Sequence, residues 1–298
     1  MTEGVPGGAG QVTEGVLVVD KPAGMTSHDV VDEVRRRLST RRVGHAGTLD
    51  PDATGLLLLG VGRATRFLSY GQSSPKRYRA SAVFGVTTST QDASGDILRR
   101  RPAGDLTRRA LGDALGDFVG EVDQVPPMVS AVKVGGERLY LKARRGEEVE
   151  RRARRVTIYS LELVGFRAGA VPQAALDVHC SAGTYVRTLV ADLGEHLGCG
   201  AHLGSLRRIE AAGFTEADAV PLAEVTRDAL RPLVDAVREL PRLEADEDAV
   251  RRVGHGRPLA ARPDLGEGEE VAIVRDSTLL GVYARSGSVL VPRRVVGS

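Results

Sequence analysis

The chain has 298 residues, 42% of them hydrophobic and 27% charged, a balance that points to neither disorder nor membrane residence and leaves room for a large domain with a small one attached. Its longest apolar run, residues 56–61, is far too short to cross a bilayer. No export signal is readable at the start, and two cysteines, Cys180 and Cys199, cannot build a secreted disulfide scaffold, so the cytoplasm is the expected location.

Residues 1–13 are rich in glycine and polar side chains and read as a mobile leader. GVLVVD at 15–20 predicts a buried strand, broken by Lys21-Pro22-Ala23-Gly24. Thr26 with Asp29 makes a capping-box start for a helix whose apolar face is Val30, Val31, Val34 and Leu38. Residues 42–55 form a glycine-punctuated loop, and 56–61 a core strand. Residues 77–86 alternate, with Tyr78, Ala80, Ala82, Phe84 and Val86 on one face.

A helix is expected over 106–118. After Val125-Pro126-Pro127 the segment 137–155 holds eight basic residues against four acidic ones, and about 126–155 reads as a basic insertion. Net charge is only +2, yet a phosphate backbone would meet such local clusters. Nearly all of the positive charge is arginine, whose fork suits phosphate, although a GC-rich coding sequence produces the same bias. A strand follows at 174–181, then a turn at Gly183 and a helix capped by Thr184 with Val186, Leu189, Val190, Leu193 and Leu197 on one face.

Strands and helices without a regular βαβ repeat predict an α+β core of mixed sheet with flanking helices over 14–240. Pro241 and the acidic run 244–248 read as a boundary. Short strands at 271–275, 279–283 and 289–295 then predict a small β domain over 241–298.

Several side chains could carry chemistry. Asp50 precedes Pro51, which holds it extended; it either aims a carboxylate or supports a turn. Arg187 lies in the first turn of a helix, where the dipole disfavours a cation, so a nearby anion such as Asp50 or a phosphate is expected unless the side chain bends into solvent. Tyr78 and Tyr185 each suit core closure or stacking on a flat ligand. His45 sits on the glycine loop rather than in a periodic core stretch. Ser27-His28-Asp29 reads as capping rather than a triad, because neighbours at a helix start do not converge. Cys199 and His202, with His179-Cys180, have ligand-like spacing, but strand neighbours face opposite ways, and no metal is expected. Gly60-Val61-Gly62 lacks the third glycine of a dinucleotide loop.

The order of the motifs is more specific than any one of them: GVLVVDKPAGMTSHDVV, GHAGTLDPDATGLL, KRYRA, then HCSAGTYVRTLVADLGEHLGCGAHLGSLRRI. Over residues 15–214 the chain resembles the TruB family of tRNA pseudouridine-55 synthases. That resemblance implies a pseudouridine-synthase core with a PUA-like C-terminal RNA-binding domain. It further implies an isomerase, without metal or cofactor, that detaches a uracil of the tRNA T-loop arm, turns it and rejoins it through carbon. The expected partner is tRNA, with no membrane and no obligatory protein partner, and the enzyme is expected to be a monomer.

Through the resemblance Asp50 matches the catalytic aspartate, Tyr78 the active-site tyrosine, and Arg187 the arginine that pairs with the aspartate. Tyr185 matches the second tyrosine, His45 the histidine that enters the T loop, Asp92 an acidic substrate contact, and Leu206 an apolar pocket position. Arg66, where some relatives carry lysine, is a phosphate or site contact. Ser89 departs from the acidic residue of many relatives. A pseudouridine synthase for another RNA and a tRNA-binding or folding protein are the alternatives.

Overall fold

The computed structural model describes residues 13–128, 133–134, 137–138, 145, 147 and 149–297. The leader before residue 13 and most of the basic insertion between 129 and 148 lie outside them.

The first sheet contains β1 (Gly15–Lys21), β2 (Val43–His45), β3 (Thr54–Val61) and β4 (Lys76–Phe84). A hairpin of β5 (Val86–Thr88) and β6 (Ile97–Arg100) stands off it. The sheet continues with β7 (Gly120–Gln124) and, past the small pair β8 (Lys133–Val134) and β9 (Glu137–Arg138), with β10 (Arg154–Arg167) and β11 (Gln173–Cys180). It is completed by β12 (Ala201–Ala211), β13 (Phe214–Thr215) and β14 (Val220–Pro221). Its order is β14-β1-β3-β12-β4-β11-β10-β7, with β2 paired to β3 and β13 to β12. The contacts β1–β14 and β3–β12 are parallel and the others antiparallel, so the sheet is mixed as expected.

After Thr54, β3 is apolar because both of its faces are covered: Leu57 and Leu59 pack on α1 (Ser27–Leu38), while Leu56 and Leu58 join Phe67 and Phe214 on the other side. β4 buries Tyr78, Ala80, Ala82 and Phe84 against α3 (Arg108–Leu115) and α4 (Val186–His196), leaving Arg77, Arg79 and Ser81 outward. Gly55 must be glycine: it has φ +96°, and a Cβ there would stand 2.2 Å from the Arg208 carbonyl oxygen of the parallel neighbour.

A short helix, α2 (Leu68–Ser73), follows a 3-10 turn at Gly62–Phe67. α1 carries the expected capping box on Thr26 and Asp29. Elsewhere the structure differs from the sequence reading. The loop 42–55 contains β2, whose three residues are too few to show a period. The helix expected over 106–118 runs only Arg108–Leu115 and tightens into a 3-10 turn at Gly116–Phe118. α4 is capped at Tyr185 rather than Thr184, whose hydroxyl instead donates to the Ser181 carbonyl at 2.9 Å. β10 and β12 were not anticipated, because register shifts along each break the two-residue alternation.

The acidic run 244–248 is a helix start: Asp246 caps α5 (Glu247–Gly254), accepting from the Ala249 N–H at 2.7 Å, with Glu247 and Asp248 in the first turn. A second sheet, ordered β15-β17-β18-β19-β16, is formed by β15 (Arg242–Glu244), β16 (Leu259–Ala260), β17 (Glu270–Arg275), β18 (Thr278–Ser286) and β19 (Val289–Val295). It has its own core around Ile273 and Tyr283, while Ala272, Val274, Leu279 and Val282 pack with Val16 and Leu58 of the first sheet and with Phe67 of the 3-10 turn. No helix among the described residues is long and apolar enough to cross a membrane.

Candidate active site

Three residues at and beyond the end of β1, Lys21, Gly24 and Ser27, hold the loop that bears Asp50. The Lys21 ammonium, fully buried, donates to the Pro51 carbonyl at 2.8 Å as well as to Pro22 and Met25. The Gly24 N–H donates to the same Pro51 oxygen at 3.0 Å. The Ser27 hydroxyl accepts from the Leu49 N–H at 2.9 Å and donates to the Leu49 carbonyl at 3.1 Å. Asp50 is therefore presented on a clamped backbone, not on a free loop.

Arg187, from the first turn of α4, meets it as a fork: Nε lies 3.0 Å from Oδ2 and Nη2 3.3 Å from Oδ1. The arginine side chain is 5% exposed and the aspartate 42%, so the pair has a buried cation behind and a carboxylate face open to solvent. On its far side Arg187 Nη1 donates to Asp92 Oδ2 at 3.3 Å and to the Thr90 carbonyl at 3.1 Å. Asp92 is fixed in turn, its Oδ1 accepting from the Thr90 hydroxyl at 2.6 Å and from the Ser94 N–H and hydroxyl at 3.0 and 2.6 Å. The anion anticipated from the helix-dipole argument is thus a pair of carboxylates.

The Asp50 carboxyl is pushed above the ordinary carboxylate range. Desolvation is the main cause and the Asp92 and Asp52 charges add to it, whereas Arg187 and Lys21 pull it down. Arg187 thereby keeps a crowded carboxyl ionisable.

Tyr78, on β4, is 8% exposed, and the Asp50 charge acts on its hydroxyl. Directly across the ladder stands Arg208, 1% exposed, which donates from Nε to the Leu56 carbonyl at 2.7 Å and from Nη2 to the Gly47 carbonyl at 3.2 Å. Burial raises the Tyr78 hydroxyl pKa, and the Arg208 charge opposes that rise. Lys76 is also buried, bound to the carbonyls of Gly71, Gln72 and Ser74, and desolvation lowers its ammonium to about 8, as it does that of Lys21. Leu206 pairs with Ala80 and packs half-buried against the same core as Tyr78 and Leu49.

The structure brings Asp50, Tyr78, Arg187, Asp92 and Leu206 to one side of the sheet. Tyr185 occupies the N-cap position, two residues before Arg187, without a side-chain capping bond, and is half-buried. His45 ends β2 opposite Leu59, five residues before Asp50. Arg66 lies in the 3-10 turn after the far end of β3 from Asp50, apart from the carboxylate cluster along the chain. Ser89 accepts from the Asp96 N–H at 3.1 Å and helps close the turn that holds Asp92. Ser27 serves the loop and Asp29 the cap, so no triad forms. The Cys199 thiol rests on the Gly194 carbonyl and His202 Nδ1 lies 2.9 Å from the Val86 oxygen. Lys21, Ser27 and Arg208 were not singled out as site supports from sequence. The KP dipeptide beside a strand end and the paired arginines after Leu206 were the available signals.

Residues 35–186 match the family model described as TruB family pseudouridylate synthase (N terminal domain), and residues 187–240 match the tRNA pseudouridylate synthase B C-terminal domain. Among solved structures, the chain resembles one in the crystal structure of a Cbf5-Nop10-Gar1 complex, with TM-score 0.75 and 27% identity over 96% of this chain and 85% of that one. The fold is that of a pseudouridine synthase, an isomerase acting on RNA. The chain belongs to the TruB family.

Its relatives include proteins called tRNA pseudouridine synthase B from Symbiobacterium thermophilum, 50% identical over 85% of this chain and 86% of that one, and from Thermobifida fusca, 44% identical over 94% of each. The matched C-terminal family domain ends at 240, so the second sheet lies beyond both family models.

Proposed function

We propose that this chain converts a uridine of the tRNA T-loop arm to pseudouridine, with Asp50 as the attacking carboxylate. The observation that carries the reading is the Asp50–Arg187 fork, backed by a buried guanidinium and open on its other side, with Tyr78 beside it. Ionised Asp50 attacks the uracil or the ribose. The glycosidic C–N bond breaks, the base turns and C5 bonds to the sugar carbon; the bond to Asp50 breaks to return the carboxylate, and the C5 proton is lost to solvent while N1 takes one up. Arg187 keeps the nucleophile ionised and aimed, and Asp92 holds Arg187.

Tyr78 stacks on the uracil, with Leu206 and Tyr185 shaping its pocket. Reaching a stacked loop base requires its extrusion at a cost of a few kcal/mol, to which His45, entering the loop, and phosphate contacts such as Arg66 and the basic insertion respond. The second sheet acts as a PUA-like RNA-binding domain. The enzyme works in the cytoplasm as a monomer, without metal, cofactor or obligatory protein partner.

The test is incubation of the purified chain with a tRNA transcript carrying tritium at uracil C5. Tritium release that disappears when the T-loop uridine is replaced by cytidine is expected. Binding without release would leave a tRNA-binding or folding protein, and release from another RNA alone would move the substrate.

A further inference from the structure

The N-terminus of α4 carries Arg187 yet lacks a cap of its own. Tyr185, at the N-cap, makes no side-chain capping bond, and the neighbouring Thr184 hydroxyl is engaged with the Ser181 carbonyl. The anchor comes instead from the edge of the sheet. Gln124, the last residue of β7, is 3% exposed, and both ends of its amide go to one residue: Oε1 accepts from the Tyr185 N–H at 3.0 Å and Nε2 donates to the Tyr185 carbonyl at 3.3 Å.

That two-point grip fixes the peptide planes on either side of Tyr185, as a strand ladder would. Arg187 stands two residues further on, and its fork must meet Asp50 and Asp92 at 3.0 and 3.3 Å. Gln124 is itself held on a firm base. It pairs with Arg154 in the β7–β10 ladder, and Arg151 donates to the Pro126 carbonyl at 3.0 Å two residues beyond it. A buried amide left unsatisfied is costly, so an apolar side chain would fill this site more cheaply if filling were its only purpose.

We propose that Gln124 is a positioning residue for the isomerisation: through the backbone of Tyr185 it sets the start of α4 so that the Arg187 fork closes on Asp50. This rests on the reaction proposed above. A displacement of about 1 Å at the reacting groups costs on the order of 100-fold in rate. Loss of the grip therefore lowers kcat by roughly 10–100-fold while leaving KM for tRNA unchanged, since Gln124 is buried and bonded to the Tyr185 backbone. It also moves the acid limb of kcat to higher pH, because a misplaced Arg187 no longer favours ionised Asp50.

The experiment measures tritium release against pH, with thermal midpoints, for the wild type, Gln124→Leu and Gln124→Glu. The leucine keeps the volume and loses both bonds, while the glutamate keeps the acceptor and loses the donor. A lowered kcat with unchanged KM and an acid limb shifted upward in Gln124→Leu, with Gln124→Glu falling between, is expected. If the leucine variant does not fold, the glutamate variant decides on the same readouts. A wild-type kcat and limb in a folded variant, or a lowered thermal midpoint with the limb unmoved, overturns the proposal. Wild type that releases no tritium overturns the reaction itself, a separate outcome.

Discussion

The two faces of the central sheet use the same kinds of ion pair to different ends. On the outer face Arg77 meets Asp177 at 2.6 Å with 41% of its side chain exposed, and Arg79 meets Glu216 at 3.2 Å with 65% exposed. On the inner side Arg187 meets Asp50 and Asp92 with 5% exposed. Water screens the outer pairs, which contribute about 0–1 kcal/mol each. The inner arginine has little water to return to, so removing both of its carboxylates would leave a buried, uncompensated charge, whereas removing Asp50 alone leaves it paired with Asp92. The lesson is that burial of the cation, not pair distance, separates the candidate machinery from surface decoration.

Substitutions sharpen that contrast. Asp50→Asn is expected to have the largest effect, lowering turnover by on the order of 1000-fold or more while tRNA affinity, measured by filter binding, stays within a few fold. Its effect on stability has the opposite sign. The folded-state Asp50 pKa is raised, so its favourable contribution is complete below the unfolded value and is lost as pH rises through the folded one. Thermal midpoints of Asp50→Asn should accordingly equal or exceed wild type at neutral pH, with the advantage vanishing in acid.

Arg187→Ala comes next, with turnover lowered about 100-fold and the acid limb of kcat moved to higher pH, since Arg187 favours the ionised carboxylate. Asp92→Asn lowers turnover less, by roughly 10-fold, through a loosened Arg187. With the Arg187–Asp50 contact kept, it moves the acid limb the other way, because the Asp92 charge raises the Asp50 pKa. Equal directions in the two pH profiles would break the assignment. Ser27→Ala removes the two bonds to Leu49 and should cost about 1–2 kcal/mol in denaturant unfolding. Smallest of all, Arg77→Ala on the outer face should leave turnover at wild type and change stability by less than about 1 kcal/mol.

Much of the candidate site was legible in the sequence because its chemistry is written in side chains at motif positions. Asp50, Tyr78 and Arg187 stand in GTLDP, KRYRA and TYVR, and the unfavourable dipole position of Arg187 already asked for an anion. What stayed hidden acts through backbone. Lys21 reaches the carbonyl of Pro51, thirty residues on, and Arg208 those of Leu56 and Gly47, so neither leaves a trace in residue pairing. The same holds for the fold. β4 alternates cleanly and was read, whereas β12 carries two register shifts against β4 and was not. The cap at Asp246 was not legible within the acidic run, because capping and linker chemistry use the same residues.

The most direct test of the central claim is single-turnover tritium release with enzyme in excess over tRNA, comparing wild type with Asp50→Asn after binding of both is verified. Release by wild type and none by the bound variant is the predicted result. Release at the wild-type rate by Asp50→Asn would contradict the assignment of the carboxylate that Arg187 holds.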